Sequence, residues 1–390
     1  MSRLRKFTCK YGLISHQLLV KKNISFKITE KGIIKDLKYD ECKKKLEISN
    51  SNEGFLLIPG FINSHVHIGD SFAKEVGFNK DLISVVAPPD GIKHVLLKNT
   101  SNAIKLMGIR QAMRDMISLG TTCFADFRER ENEGIQLLKG AKENQKIETL
   151  ILGRFQNPHI IRSIFKEGDG IGLVSYRRIT DEMKSELQKN KKKYKKIIAV
   201  HCAEKERREK LIRALFDDDI IDVIIHGTQF NEEDLQKVNK HKKALVLCPR
   251  SNSYFQMGFP PILEIQKLKI PISLGTDNIM AVSPDLFEEM RYLYFISRAL
   301  GKDDNITSFS AREILKMVTS NAAYNFKLDQ RQGSIENGKF ANFFLINLND
   351  PNYFVSQLTA ENIYPLLVQR TKPENIKKVY IRGELAFERN

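Results

Sequence analysis

Two histidines, His65 and His67, stand one residue apart at the end of an apolar segment that begins at Phe55. Side chains alternate between the two faces of a strand, so both imidazoles point to the same face, about 7 Å apart along the backbone. Two imidazoles on one face at the end of a buried strand can bind a single transition-metal ion. The pair therefore predicts a metal site, provided that the rest of the chain supplies further ligands.

Other residues that bind metals or move protons follow further apolar segments of the chain. His201 ends one such segment, and Glu204 follows it by three residues. His226 and Asp277 end two others. Four of the eight histidines and one aspartate thus stand at the ends of apolar segments. This coincidence is a stronger signal than the isolated His65–His67 pair.

Three histidines and one carboxylate form a site of nitrogen and oxygen ligands that suits Zn(II) or Fe(II) and leaves a position for water. The metal lowers the pKa of that water towards neutrality and so provides hydroxide. The carboxylate of Asp277 can accept the proton of the water, and Glu204 can pass it to a leaving group as a general acid. His226 can orient the water or polarise the scissile bond.

Each of these residues also has a structural interpretation. A histidine at a strand end, such as His226, can be a satisfied core or loop residue. Asp277 can be a helix N-cap, and Glu204 can be a first-turn charge that the helix dipole favours. Because all of them share the ends of apolar segments, the sequence favours a metal site.

The segments that carry these residues belong to a series of short apolar runs separated by helical patterns. Several runs are rich in isoleucine and valine, as expected for strands buried on both faces. The eight runs are residues 55–62, 121–127, 149–155, 170–176, 197–201, 223–226, 244–248 and 271–275. Residues 206–216 and 231–240 show helical spacing, and Asn231 with Asp234 predicts a helix start. The alternation predicts a (β/α)8 barrel, in which functional residues lie at the carboxyl ends of the strands.

Both ends of the chain have a different character, with short β segments separated by turns. The predicted segments are residues 11–16, 24–28, 32–37 and 46–48 near the N-terminus, and 343–347 and 379–383 near the C-terminus. These ends therefore lie outside the alternating pattern of the barrel.

The formal charge of +16 raises the question of nucleic-acid binding. Much of the excess is local, at residues 184–196 and 237–243, which are predicted helix faces and connections where lysine is well solvated. No nucleic-acid motif accompanies these lysines. We therefore expect a solvated basic surface rather than a nucleic-acid interface.

Composition also limits the class of protein. The hydrophobic fraction of 42% is sufficient for a sizeable core. The sequence contains no apolar run of about 18 residues, which argues against a membrane span. The charged residues 1–6 are not followed by the apolar segment of a secretion signal. The five cysteines are scattered and indicate reduced thiols, so we predict a cytoplasmic protein.

Four motifs resemble those of the amidohydrolase superfamily. They are PGFINSHVH at residues 59–67, HCAE at 201–204, HGT at 226–228 and GTDN at 275–278. The H-x-x-E version is similar to the mononuclear branch that holds cytosine, guanine and adenosyl-nucleoside deaminases and triazine hydrolases. The resemblance covers nearly the whole chain.

The resemblance implies an α/β architecture in which a (β/α)8 TIM barrel carries a small β-sandwich built from both chain termini. Residues 319–323 and 333–339 are similar to the family's return into that sandwich. The expected domains are the barrel at residues 55–330 and a sandwich composed of residues 1–54 and 331–390.

The resemblance also assigns roles to residues. Those implied to bind the metal are His65, His67, His201 and Asp277. Glu204 is implied to shuttle protons to a ring nitrogen of the substrate, and His226 to assist the water. Binuclear members close strand four with a lysine, and residues 170–176 contain none. We therefore expect one divalent metal ion, with zinc favoured over iron.

Two arginines near strand ends are candidates for substrate binding. Arg128 follows the second run, and Arg154 lies near the end of the third. A guanidinium at a barrel mouth suits a carboxylate, a phosphate or a carbonyl group. The alternative is a salt bridge to Asp126 or Glu129 that supports the loop, and both interpretations remain open.

These observations predict a metal-dependent hydrolase of non-peptide carbon–nitrogen bonds that deaminates a nucleobase-like or other aminated heterocycle through a metal-bound hydroxide. The alternatives are a cyclic amide or substituted-triazine-type hydrolase and a non-catalytic amidohydrolase-like binding protein. The expected partner is a small-molecule substrate, with the long segment at residues 72–91 as a binding loop. A homo-oligomer formed through that segment is compatible with the sequence.

Overall fold

The computed structural model describes residues 4–42, 46, 54–301 and 308–389. The strands in these ranges are β1 (Arg5–Ile14), β2 (Leu19–Ile28), β3 (Ile34–Glu41), β4 (Phe55–Pro59), β5 (Phe61–His67), β6 (Thr121–Arg128), β7 (Glu148–Gly153), β8 (Gly170–Leu173), β9 (Ile197–Cys202), β10 (Val223–His226), β11 (Ala244–Leu247), β12 (Ile272–Leu274), β13 (Asp277–Asn278), β14 (Phe343–Asn347), β15 (Ile376–Ile381) and β16 (Glu384–Glu388).

The α-helices are α1 (Leu82–Val86), α2 (Ile92–Asn99), α3 (Asn102–Ser118), α4 (Glu131–Lys142), α5 (Ile161–Glu167), α6 (Asp181–Tyr194), α7 (Glu209–Asp218), α8 (Glu232–Lys240), α9 (Pro249–Tyr254), α10 (Ile262–Lys267), α11 (Leu286–Leu300), α12 (Ala311–Met317), α13 (Ser320–Asn325) and α14 (Ile363–Arg370). Short 3-10 helices cover Ile68–Ala73, Pro158–Ile160, Tyr176–Arg178, Pro351–Tyr353 and Pro373–Asn375.

Nine strands form a parallel sheet that closes on itself. Their order is β12-β11-β10-β9-β8-β7-β6-β5-β13. The chain passes directly from β12 to β13, and β13 pairs in parallel with β5, so that Asp277 lies opposite Val66 and Asn278 opposite His67. β12 and β13 are therefore the two halves of an eighth strand that pairs with β11 on one side and with β5 on the other. The predicted (β/α)8 barrel is confirmed.

The two ends of the chain meet in a second sheet. Its order is β16-β15-β14-β4-β1-β2-β3, and β14 pairs antiparallel with β4. This arrangement confirms the predicted small β domain built from both termini. The expected strand at 46–48 cannot be compared, since residues 47 and 48 lie outside the described ranges. Helix α14 of the C-terminal segment packs against α11 and α12 of the barrel.

The first and last barrel strands differ from the predicted runs. The run at residues 55–62 is divided at Gly60 into β4, which joins the terminal sheet, and β5, which starts the barrel. A Cβ at Gly60 would lie 2.3 Å from Oγ1 of Thr122, so only glycine permits this close crossing between sheets. The predicted eighth run ends earlier, at Leu274, because Gly275 packs against His65.

Helix α8 shows why its predicted start was correct. The Asp234 N–H donates to Oδ1 of Asn231 at 2.9 Å, and the Asn231 N–H donates to Oδ2 of Asp234 at 3.2 Å. This reciprocal capping box satisfies two of the free N–H groups at the helix start. Helix α7 begins three residues later than predicted, at Glu209. Among the described residues, no helix is both long enough and apolar enough to cross a membrane.

Candidate metal centre and active-site cavity

The carboxyl ends of three barrel strands, β5, β9 and the eighth strand formed by β12 and β13, bring one group of donor atoms together. It consists of His65, His67, His201 and Asp277, one ligand atom of each lying within 4.8 Å of the others. Oδ1 of Asp277 lies 3.1 Å from Nε2 of His65 and 3.4 Å from Nε2 of His67. The structure therefore brings together all four residues that the sequence suggested as metal ligands.

The hydrogen bonds of two imidazoles define their tautomers. Nδ1 of His201 lies 3.0 Å from the carbonyl oxygen of Leu173. Nδ1 of His67 lies 3.3 Å from the carbonyl oxygen of Phe127 and 3.0 Å from Oε1 of Glu129. These oxygens can only accept hydrogen bonds, so both Nδ1 atoms carry the proton and both Nε2 atoms carry a lone pair.

These two lone pairs face each other. Nε2 of His67 lies 3.3 Å from Nε2 of His201. Burial lowers the pKa of both imidazoles well below its ordinary value and that of His65 to about 4. Neutral nitrogens that converge without a proton between them form a cation-binding site, in which each Nδ1–H is held as in known metal-ligating histidines. The donor set therefore fits a divalent metal ion.

Asp277 supplies the negative charge of the site. Burial alone would raise its pKa, but the hydrogen bond from His65 and the nearby imidazoles keep that pKa well below its ordinary value. Its Oδ2 accepts a hydrogen bond of 2.6 Å from Oγ of Ser251. Thr276, the residue before Asp277, is also held in place, because its Oγ1 accepts a hydrogen bond of 2.8 Å from Nδ2 of Asn63.

Three residues of the site have a left-handed backbone. Their φ angles are +50° at Ala203, +76° at His226 and +64° at Asp277. Aspartate and histidine adopt this region more readily than most residues, yet each such position costs free energy that the surrounding structure must offset. Such strain is concentrated at functional sites, which agrees with the position of these residues.

A second donor group consists of Glu204, His226 and Asp277. Nε2 of His226 lies 3.6 Å from Oε2 of Glu204, and its Nδ1 lies 3.0 Å from Oδ1 of Asn252. Nδ2 of Asn252 donates to Oγ1 of Thr228 at 2.7 Å, which fixes the amide so that its oxygen faces the imidazole. Burial raises the pKa of Glu204, so its carboxyl group can hold a proton.

A cavity of about 780 Å³ opens onto this group. His201 and Glu204 line it, and Arg154 lies on its wall. The segment after strand β5 contributes Pro88 and His94 to the same cavity. The long segment at residues 72–91, predicted as a binding loop, therefore borders the candidate site.

Arg128 is not placed where a substrate could reach it. Phe127 faces the barrel interior, with its ring 4.5 Å from that of His65, so the next side chain points to the opposite face. The guanidinium of Arg128 is buried, 3.3 Å from Oδ2 of Asp126 and 2.6 Å from Oε2 of Glu129. The alternative of an internal salt bridge describes this geometry, and the prediction that Arg128 contacts substrate is corrected accordingly.

Sequence reasoning did not identify a network of buried charges beside the donors. Nζ of Lys93 lies 2.6 Å from Oε1 of Glu129, 3.4 Å from Oδ2 of Asp70 and 2.9 Å from Oδ1 of Asn278. The sequence suggested Glu129, which directly follows β6, only as a salt-bridge partner of Arg128. Lys93 comes from helix α2, and no local signal in the sequence predicts its position.

Glu129 balances several buried cations. Burial alone would raise the pKa of its carboxyl group, but Lys93, Arg154 and Arg128 hold that pKa well below its ordinary value. We expect Glu129→Gln to lower the free energy of unfolding by about 3 kcal/mol, because it leaves these cations without their shared anion. Urea denaturation of the wild type and the variant measures this difference.

The matched control is Glu133→Gln. The Glu133 side chain is 53% exposed and pairs with Arg130 at 2.7 Å, so its loss should cost less than about 1 kcal/mol. Equal destabilisation by the two substitutions would contradict the role assigned to Glu129.

Comparisons with known proteins agree with this arrangement of donor residues in a barrel. The model of the Amidohydrolase family matches residues 56–386. A protein of Methanothermobacter thermautotrophicus named "Putative aminohydrolase" is 32% identical over 381 residues, which cover 92% of this chain and 93% of that protein. A protein of Thermoanaerobacter pseudethanolicus named "5-methylthioadenosine/S-adenosylhomocysteine deaminase" is 25% identical, over 85% of this chain and 81% of its own length.

The fold is shared with solved structures. An adenosine deaminase from Xanthomonas campestris, solved with bound zinc, superposes with a TM-score of 0.81 at 16% sequence identity. The match covers 97% of this chain and 92% of that one.

Proposed function

Because the chain belongs to the amidohydrolase family, we propose that it is a metal-dependent hydrolase that removes an amino group from a nucleobase-like or other aminated heterocycle. One observation carries this proposal. A partly buried carboxyl group with a raised pKa, Glu204, stands beside the converging donors at the wall of a cavity large enough for a small molecule. An acid beside a metal-donor group is what hydrolysis of a carbon–nitrogen bond requires.

The proposed ligands of a single divalent ion are His65, His67, His201 and Asp277. When bound there, the ion supplies Lewis-acid chemistry and acidifies a water molecule. We propose zinc in preference to iron, because three neutral imidazoles and one carboxylate form a common zinc donor set and the structural relative from Xanthomonas campestris was solved with zinc. Strand β8 contains no lysine that could bridge a second ion.

The residues of the chain then act on the protons of the reaction. Asp277, held as a carboxylate, accepts a proton from the attacking water. Glu204 donates its proton to the ring nitrogen next to the carbon under attack. The water proton held by Asp277 then passes to the departing amine, and the remaining O–H proton of the added water returns to Glu204 as the C=O bond forms. His226, with Nδ1–H fixed by Asn252, keeps Nε2 directed at Glu204 and orients the water. The water oxygen replaces the amino group, and ammonia leaves.

The names of two relatives support this reaction class. One is called an aminohydrolase and the other a deaminase of adenosyl compounds, and the chain covers more than four fifths of each. Arg154 remains the proposed substrate-binding arginine, since it lines the cavity. The predictions of a small-molecule partner and of a cytoplasmic location are carried forward with this proposal.

We expect the purified protein to contain about one zinc or iron per chain and to release ammonia from at least one aminated heterocycle. The test is elemental analysis, followed by an ammonia assay across purines, pyrimidines and deoxy- or thio-nucleosides. The metal-stripped protein, and the same protein after zinc is restored, are the controls.

The outcomes separate the alternatives. Product formation from a cyclic amide or a substituted triazine, without ammonia from any amino-heterocycle, would establish the other hydrolase reaction. Two metal ions per chain would contradict the single-metal proposal. Saturable binding of a heterocycle with no product from any substrate would favour a binding protein.

A further inference from the structure

One wall of the cavity carries an excess of positive charge. Four residues that line the cavity form this wall, and we call them the basic wall: Arg154, Arg177, Arg178 and Lys205. Two other cations on the cavity lining are paired: Arg208 forms an ion pair with Glu206, and Arg130 lies 2.7 Å from Glu133. The lining also carries the carboxyl groups of Glu129, Glu131 and Glu204. Among the described residues, no carboxylate lies within 4.0 Å of Arg177, Arg178 or Lys205. Hydrogen bonds from Ser84 and the charge of Lys205 lower the pKa of Asp81, so Lys205 is partly balanced there. The charges of Arg177 and Arg178 are left for a ligand.

The deepest member of the basic wall is poorly neutralised. The side chain of Arg154 is only 12% exposed, and its Nε is buried without a hydrogen-bond partner. Its nearest carboxylate oxygen, Oε1 of Glu129, is 3.8 Å from Nη1. Glu129 has closer cations, since Lys93 and Arg128 both lie 2.6 Å from its oxygens. A buried guanidinium with a free N–H group beside a cavity is a site for an anion.

The outer arginines are held at the mouth by a fixed segment. They belong to the 3-10 helix Tyr176–Arg178, in which Oγ of Ser175 accepts a hydrogen bond of 3.2 Å from the N–H of Arg177. The Tyr176 side chain is buried, and its hydroxyl group donates to Oδ2 of Asp218. Arg177 and Arg178 therefore extend from an anchored turn, and their guanidinium groups can meet a ligand at little cost in backbone entropy.

The size of the cavity is consistent with a ligand larger than a bare ring. About ten heavy atoms of a nucleobase fill roughly 300 Å³, even at the volume that a water molecule occupies in the liquid. The cavity has about 780 Å³. More than half of it is thus available to a substituent on the heterocycle.

We propose that the substrate of this enzyme is a heterocycle whose substituent ends in an anionic group, a phosphate or a carboxylate, and that the basic wall binds that group. This inference rests on the proposed function for the reaction at the ring, but it concerns a different part of the cavity. Guanidinium groups bind both anions through paired N–H donors, so the basic wall is compatible with either a phosphate or a carboxylate.

The experiment compares three ligands that share one ring: adenosine, adenosine 5′-monophosphate and adenosine 5′-carboxylic acid. Their dissociation constants for the metal-loaded full chain are measured by calorimetry, and ammonia release is measured in parallel. The test variant is the double substitution Arg177→Gln, Arg178→Gln. The control is Lys192→Gln, Lys193→Gln, which removes the same charge near the far end of α6, roughly 20 Å along the helix.

We expect at least one anionic ligand to bind about tenfold more tightly than adenosine. The double arginine variant should lose about tenfold of that affinity and bind adenosine within twofold of the wild type, whereas the lysine control should keep the preference. Which anionic ligand gains more identifies phosphate or carboxylate as the recognised group.

Three results would overturn the inference: equal affinity for the neutral and both anionic ligands, no measurable binding of either anionic ligand, or equal losses in the arginine variant and the lysine control. Failure of the proposed function has a different signature. In that case an arginine-dependent preference for an anionic ligand is measured, but no ammonia is released from any of the three compounds.

Discussion

An Asp277→Ala variant should fold and yet be purified without its metal and without measurable turnover. Oδ1 of Asp277 lies within 3.4 Å of Nε2 of both His65 and His67, so its removal leaves the donor group without its only charged member. Loss of a residue that merely supports a ligand costs about 10- to 100-fold in metal affinity. Loss of this ligand should therefore cost more than about 100-fold. Elemental analysis after dialysis, with zinc titration of the stripped protein, measures the effect.

The His65→Ala substitution should give the same loss of metal, because it removes a different ligand and leaves the carboxylate in place. The control is Asp285→Ala, another buried aspartate, whose side chain accepts a 2.7 Å hydrogen bond from the N–H of Phe287 at the start of α11. Its loss should lower stability by about 1 kcal/mol and leave the metal content unchanged. Stoichiometric metal in either ligand variant would disprove that ligand's assignment.

A Glu204→Gln variant should keep its metal and lose about 10²- to 10⁴-fold in kcat. Glutamine matches glutamate in shape, and its amide N–H can still donate to Nε2 of His226, but an amide is not an acid and cannot protonate the ring nitrogen. Metal analysis and steady-state ammonia release, measured on the same preparation, separate a loss of chemistry from a loss of metal.

The matched control is Glu209→Gln, an exposed glutamate in the first turn of α7, which should retain the wild-type rate. If Glu204→Gln is as active as this control, the general acid is another group and the proposed proton path is wrong. If Glu204→Gln loses its metal, Glu204 belongs to the ligand set instead.

Much of the candidate site could be predicted because a parallel barrel converts order along the chain into position in space. His65, His201, His226 and Asp277 are far apart in the sequence, but each closes a strand, and all carboxyl ends of parallel strands lie at one rim. The barrel was predicted correctly for the same reason. The roles of these residues remain proposals that the variants above test.

The features that the sequence did not predict depend on the face of a strand from which a side chain projects and on contacts between residues that are far apart in the sequence. Arg128 also follows a barrel strand, but its neighbour Phe127 faces inward and therefore turns the guanidinium away from the mouth. Lys93 reaches Glu129 and Asn278 from a helix that no strand-end rule addresses. The division at Gly60 arises because the backbone must pass close to Thr122, a contact between residues 62 positions apart.

The short strand β13 has a consequence for how the molecule is assembled. It joins the last barrel strand to the first through two residues, Asp277 and Asn278. The same pairing holds Asp277 against His65, which lies 212 positions earlier in the chain. Metal binding and closure of the ring of strands are thus thermodynamically linked: any ligand that favours the assembled donors favours the closed junction by an equal free energy. During synthesis, the proposed set of four metal ligands is incomplete until residue 277 has been added, so a metal ion can be bound by all four only after that point.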